Sequence, residues 1–256
     1  MKSITYRGRQ MIKNINNKIY VIENDLAANS TLILGKKGNI LVDTSLFPKK
    51  AEKIKEFSKD ISGKDITLVI NTHYHPDHTF GNIVFDCPIV ANRLTREFMK
   101  KMDVDYFKHL NMENVEIKLP NVIFENYFEY EDGIKLVIYN GPGHTLDSSY
   151  IYIESEDILI AGDTIVTGIH PEIVPDSNLD LWLNTLENMP KSLNIVPGHG
   201  AISNEIEIEN MIDYLKKIKQ LKEGSISPNK IENDPNFKDR KHPELFKWSL
   251  ENLIPS

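Results

Sequence analysis

Short apolar runs bounded by turn residues set the pattern of the first half of the chain. Residues 18–23, 30–34 and 39–43 are β-branched or apolar, and Asn24-Asp25 and Gly35-Lys36-Lys37-Gly38 separate them, so three strands are predicted. A helix is predicted next, because Ala51, Ile54 and Phe57 recur on one face while Lys49, Lys50, Lys53 and Lys55 surround it. Residues 66–70 and 88–91 read as further strands, and 93–109 as a charged helical stretch. The second half repeats the theme. Residues 134–138, 150–153 and 157–161 read as strands, 179–188 as a helix and 194–197 as a strand. A later helix carries Met211, Ile212, Leu215 and Ile218 on one face. Residues 224–239 are polar, contain Pro228 and Pro235, and read as a linker or surface arm. A last short helix, 243–253, is expected to pack back through Leu245, Phe246, Trp248 and Leu250. Strands grouped ahead of helices, twice over, predict an α/β protein of mixed sheets with helices on their outer faces. The expected organisation is a body of residues 1–223 with an arm, 224–256, packed on it.

The apolar run 66–70 leads directly into Asn71-Thr72-His73-Tyr74-His75-Pro76-Asp77-His78-Thr79-Phe80-Gly81-Asn82. Imidazole and carboxylate are ligands that suit zinc and, with a shifted ligand balance, iron or manganese. The competing reading is a solvated loop that happens to carry histidines. Core histidines come singly, however, and the end of an apolar strand is where a rigid scaffold can present a metal site. Three more strand ends carry one His or Asp each between small residues: Gly141-Pro142-Gly143-His144-Thr145, Ala161-Gly162-Asp163-Thr164 and Pro197-Gly198-His199-Gly200. Glycine permits the tight turns that such a presentation needs. Any one of these reads equally well as a capped turn. Four in one chain read as a shared site.

Composition narrows the function. A chain of 256 residues can bury a sizeable core in one domain. Its formal net charge of −7 argues against a general nucleic-acid binder, whose affinity rests on Lys and Arg at phosphates. The single cysteine, Cys87, excludes an intramolecular disulfide framework and, beside Pro88, reads as a small core residue. The basic N-terminus is followed by no apolar segment of the signal-peptide type, and no run approaches 18 apolar residues. A cytoplasmic location, no membrane partner and a small-molecule substrate are the expectations.

The residues His73, His75, Asp77 and His78 form an HxHxDH motif, and with His144, Asp163 and His199 in order the chain resembles the metallo-β-lactamase superfamily from about Lys18 to His199. The resemblance implies an αββα sandwich with two metals at one edge. It implies that His73, His75 and His144 hold one metal, that Asp77, His78 and His199 hold the second, and that Asp163 bridges both. Two zinc ions are implied, with iron or manganese as the other candidates. The implied chemistry is a hydroxide between the metals attacking an ester-like bond, with Asp77 also given a catalytic part. Asp43 resembles the aspartate that orients a ligand loop in this family, and a turn or capping role competes with that.

The phrases around His73 and His144 resemble class B β-lactamases. Those enzymes carry a cysteine where this chain has Asp163, and soon afterwards a substrate-binding lysine where it has Thr164-Ile165-Val166-Thr167. The ligand set is instead that of glyoxalase II and lactonases. The basic C-terminal residues of the former and the tyrosine of the latter are not matched. The nucleases of the superfamily are disfavoured by the acidic balance and the lack of a large insertion. The leading expectation is a dinuclear hydrolase of a thioester, lactone, β-lactam or other amide, or phosphoester, open to several substrates. The alternative is a persulfide dioxygenase with one iron on His73, His144 and Asp163. Pocket walls are expected from the loops after Asn24, around Phe80 and over 168–178. Tyr74 and Phe80 read as core or wall, His170 as pocket lining or surface, Trp182 as core, and His109 and His242 as solvated.

Overall fold

Apolar runs that alternate between two buried faces assemble into two mixed sheets. The structure, a computed structural model, describes residues 2–6, 10–24, 27–102, 107–108 and 116–253. The first sheet takes β1 (Lys2–Tyr6), β2 (Gln10–Asn16), β3 (Ile19–Glu23), β4 (Ser30–Leu34), β5 (Asn39–Val42), β6 (Ile66–Ile70), β7 (Ile89–Asn92) and β8 (Val122–Phe124) in that spatial order. Pairing is antiparallel from β1 to β5 and parallel from β5 to β8. The second sheet consists of β9 (Tyr127–Glu131), β10 (Lys135–Asn140), β11 (Ser149–Ile153), β12 (Ile158–Gly162) and β13 (Asn194–Pro197). Its order is β13-β12-β11-β10-β9, with only β12 and β13 parallel.

Parallel neighbours need a crossover, and helices supply it. The crossover from β5 to β6 contains α1 (Pro48–Ser62). Between β6 and β7 come a one-turn helix α2 (Pro76–Thr79) and a 3-10 turn (Phe80–Val84), and α3 (Arg93–Met99) follows β7. The crossover from β12 to β13 contains α4 (Leu179–Asn188). After β13 come α5 (Ile206–Lys222), α6 (Pro228–Glu232), α7 (Pro235–Lys238) and α8 (Pro243–Leu253).

Period-2 alternation sorts the side chains into layers. Ile19, Val21, Ile40, Val42, Leu68 and Ile70 of the first sheet meet Ile138, Ile151, Ile153, Ile158 and Ile160 of the second. Their strand neighbours Tyr20, Ile22, Leu41 and Val69 turn outward onto Ala51, Ile54 and Phe57 of α1. On the far side Leu159, Ala161 and Ile195 turn outward onto Trp182 of α4 and Met211, Tyr214, Leu215 and Ile218 of α5. Both faces of the central strands are therefore buried, which is why they read as continuous apolar runs. The order of layers is helix, sheet, sheet, helix, as the sequence predicts.

Four strands escape the sequence pattern. β8 is only three residues long, β9 alternates charged residues with aromatics on an exposed edge, and β1 and β2 carry polar residues at their ends. The helical stretch 93–109 is a helix at Arg93–Met99; residues 103–106 and His109 lie outside the described residues. The stretch 224–239, expected as a linker or surface arm, is folded in part into α6 and α7, each opened by a proline at its first turn, and it buries Ile231 and Phe237. Helix α8 packs through Phe246, Leu250 and Leu253, whereas Trp248, expected to face inward, is 40% exposed. Among the described residues no helix is long and apolar enough to cross a membrane.

Candidate metal centre

Five strand ends meet at one edge of the sandwich, and each delivers a polar side chain there. Past β6, Asn71 braces the ligand loop: its side chain donates to His78 O at 3.2 Å and receives the Asn82 amide at 2.8 Å. The loop places His73 and His75, and Pro76 then starts α2, which carries Asp77 and His78. Thr79 Oγ1 closes the turn onto His75 O at 3.0 Å. The ends of β10, β12 and β13 lead to His144, Asp163 and His199. Gly198 has to be a glycine, because a side chain there would run into the Asp163 carboxylate.

Two groups result. His73, His75, His144 and Asp163 present one ligand atom each within 4.8 Å of one another, and so do Asp77, His78 and His199. Asp163 joins them. Its carboxylate oxygens lie 3.2 Å from His78 Nε2, 3.5 Å from His199 Nε2, 3.6 Å from His144 Nε2 and 4.0 Å from His73 Nε2. Asp77 Oδ2 lies 3.1 Å from His199 Nε2 and accepts from Ala28 N–H at 3.1 Å.

Hydrogen bonds behind the rings decide which nitrogens face inward. His144 Nδ1 lies 3.1 Å from Glu172 O, a carbonyl that can only accept, so Nδ1 holds the proton and Nε2 presents a lone pair. That lone pair faces His75 Nδ1 at 3.2 Å. His78 Nδ1 lies 2.8 Å from Asp43 Oδ2, which turns His78 Nε2 inward. Asp43 also accepts from Thr72 N–H and Thr72 Oγ1, both at 2.8 Å, and so ties β5 to the ligand loop. It does so from a left-handed backbone conformation (φ 58°) that non-glycine residues seldom adopt. The sequence left a cap role open for Asp43; these three bonds make it the anchor of the loop.

Electrostatics of the metal-free cluster follow from burial against charge. Burial pushes His75 and His144 down to about 4, outweighing the pull of nearby carboxylates, and holds His73 well below the usual imidazole range with help from the neighbouring imidazoles. Burial opposes charge on His199 and His78 too, but carboxylates win there. Asp163 and Asp77 lift His199 to about 10, and with Asp43 they raise His78. Burial likewise works against ionised Asp163 and Asp77, and the facing His199 and His78 hold both carboxyls low. His73 Nε2, His78 Nε2 and Asp163 Oδ1 are buried without a hydrogen-bond partner. Buried polar atoms are rarely left so, and three converging on one point fit a bound cation.

A cavity of about 310 Å³ opens beside the cluster. Asp163, His199 and Glu172 line it, with Asn24, Val166, Ile169, His170 and Gly200, and the C-terminal arm adds Lys241, His242 and Leu245. The 168–178 loop thus forms a wall as expected, and of the loop after Asn24, residues 25–26 lie outside the described residues. Phe80 does not line it: it is buried against Met99 and Met102. Tyr74 is half-buried, edge-on to His75 and Phe98. His170 is buried rather than a surface residue, with Nδ1 2.9 Å from Tyr214 Oη and its ring stacked on Phe246. His242 is exposed at the mouth, and Trp182 is core, donating to Thr164 O at 2.9 Å. Burial raises the half-buried Cys87 thiol, which suits packing rather than attack.

Sequence reasoning missed Glu172 and the arm. Burial, with Asp163 and Asp77 nearby, pushes the Glu172 carboxyl up to about 7. Nothing local distinguishes it from Asp176 in the same loop; only the tertiary position does.

Comparison with known proteins agrees with this architecture. A family model of the metallo-beta-lactamase superfamily matches residues 24–199. A probable metallo-hydrolase of Methanocaldococcus jannaschii is 33% identical over 195 residues, covering 70% of this chain and 91% of the relative. A type 2 metallo-beta-lactamase of Elizabethkingia meningoseptica is 22% identical over 211 residues, covering 78% and 79%. Among solved structures, a metallo-beta-lactamase from Pontibacter korlensis superposes with a TM-score of 0.68 at 19% identity, covering 81% of this chain and 99% of that one. With the family model spanning more than half of its length and a probable metallo-hydrolase 33% identical over 195 residues, the chain belongs to the metallo-β-lactamase superfamily.

Proposed function

We propose that the chain is a dinuclear metal-dependent hydrolase that opens an ester-like bond in a small molecule. The bond is a thioester, lactone, amide (β-lactams included) or phosphoester. The observation that carries this is the position of Asp163, whose carboxylate stands within 3.2–4.0 Å of histidines from both ligand groups. In this reading His73, His75 and His144 hold one zinc ion, Asp77, His78 and His199 hold a second, and Asp163 is shared. Bound metal supplies Lewis acidity and a water acidified to near neutral pH.

The chain's own residues do the rest. Glu172 O and Asp43 hold the Nδ1 side of His144 and His78 so that their Nε2 atoms face the cluster. Asp77, at 24% side-chain exposure against 7% for Asp163, is the carboxylate open enough to pass a proton from the site to solvent through Oδ2. The cavity admits a small molecule, and its apolar lining, Val166, Ile169 and Leu245, receives the carbon skeleton. A single-iron oxygenase would need only His73, His144 and Asp163, and would leave no use for the equally gathered Asp77, His78 and His199.

Elemental analysis of protein purified without added metal tests the proposal, alongside Asp163→Ala. We expect about two zinc ions per chain, metal loss in the variant, and hydrolysis of at least one member of a panel of esters, lactones, β-lactams and phosphoesters. About one iron per chain, with oxygen uptake in the presence of a persulfide, would overturn it.

A further inference from the structure

The cavity beside the cluster contains a carboxyl group that the metal reading leaves unused. Glu172 lines it next to Asp163 and His199. The backbone around Glu172 is held from several sides. Its carbonyl takes His144 Nδ1 at 3.1 Å, His170 N–H donates to Lys241 O at 3.2 Å, and Ile173 N–H donates to Ser249 Oγ at 3.0 Å. The Asn252 side chain donates to Ile173 O at 3.0 Å. The Glu172 side chain is half-buried, and among the described residues its carboxyl group has no hydrogen-bond or ion-pair partner. Withdrawing a carboxylate from water without a partner is costly, and a backbone tied at this many points keeps the residue at the cavity.

The other polar groups of the cavity are committed or exposed. Asp163 and His199 belong to the cluster, and His170 Nδ1 is bonded to Tyr214. Lys241 and His242 stand in water at the mouth, with His242 paired to Glu244 at 2.8 Å, and exposed charges act weakly on a bound molecule. Asp163 and Glu172 are the acidic groups of the lining, and Val166, Ile169 and Leu245 make part of it apolar.

We infer that Glu172 determines specificity by receiving an ammonium group on the substrate, close to the bond under attack. The substrate class is an amino-acid-derived ester, thioester or amide with a free amine. The inference rests on the metal-site reading above, but it concerns recognition and not the reaction.

Two isosteric chelators separate the questions. Glycine hydroxamate and propionohydroxamate grip a metal through the same group and differ by an ammonium in place of a methyl. Their dissociation constants are measured by calorimetry on zinc-loaded wild type and Glu172→Gln, with zinc content determined on both. We expect wild type to prefer glycine hydroxamate by about tenfold or more, and the variant to bind both within about twofold at unchanged zinc content. Equal binding by zinc-loaded wild type, or a preference that survives in the variant, overturns the inference. Loss of zinc from the variant also overturns it, since Glu172 would then be a metal ligand. If the preference appears and disappears as expected while no ester, lactone or amide is cleaved, recognition by Glu172 stands and the hydrolase reading falls. Wild type that takes up no zinc sinks both.

Discussion

Asp43 shows how one side chain behind the ligands sets the site. It accepts from Thr72 N–H, Thr72 Oγ1 and His78 Nδ1, each at 2.8 Å, so the orientation of His78 and the path of the ligand loop depend on one carboxylate. Asparagine keeps the size and an oxygen for Thr72 N–H but puts an amide donor against His78. We expect Asp43→Asn to weaken zinc binding roughly 10–100-fold in a chelator competition, the usual cost of losing such a partner. Unchanged affinity would reduce Asp43 to a turn residue. The seven His and Asp residues of the cluster were legible in the sequence because four crowd into one loop past an apolar strand and the other three each sit between small residues at a strand end. Glu172 was not legible. Its meaning depends on a missing partner and on a wall built by residues about seventy positions further along.

At the scale of elements, the C-terminal arm is the part that hydropathy misjudged. Residues 224–239 are polar by composition, yet Phe237 stacks on Tyr214 with ring centroids 4.0 Å apart, and Ile231 joins the same core. Two apolar residues among many polar ones leave no periodic signal, although each fills a gap against α5. From α7 onward the arm holds the cavity wall: Arg240 donates to Ile169 O at 2.8 Å and Asn236 O at 2.8 Å, and Lys241 N–H donates to Gly168 O at 2.9 Å. Emptying this contact should therefore cost stability on the scale of a core residue. Phe237→Ala is expected to lose about 3–5 kcal/mol in urea unfolding. A change within about 0.5 kcal/mol would mean that the arm is a surface attachment. The central strands and the long helices were legible because their periodicity is enforced by burial on fixed faces. The edge strands β8 and β9 were not, since one side of each faces water or ends early.

For the whole molecule, the cluster ties stability to pH in opposite directions on either side of the ordinary imidazole value. His75 and His144 are pushed down to about 4, so between about 4 and 6.5 the unfolded chain binds protons that the folded chain refuses, and stability falls as pH falls. His199, raised to about 10, and His78, raised as well, bind protons more tightly when folded. Their contribution is complete below 6.5 and is lost as pH rises towards 10. Metal-free protein should accordingly be most stable near pH 6.5 and weaken towards both pH 5 and pH 8.5, as read by urea midpoints after chelation. Zinc loading should abolish the decline on the alkaline side, because ligands must give up their protons to bind. A flat profile for the metal-free protein would show that the charges assigned to His78 and His199 are wrong.

The seven residues do not come from one side of the sandwich. His73, His75, Asp77 and His78 hang from the first sheet, while His144, Asp163 and His199 hang from the second, and both groups take members from each. Neither half of the chain alone presents a complete coordination set. On the proposed reading, a cation held between them would be a rivet through two plates: it could seat only after the sheets had closed on each other, and once seated it would oppose their sliding apart. Metal uptake would then report a finished fold, and a chain stalled with its halves undocked would be marked by its failure to keep the ion.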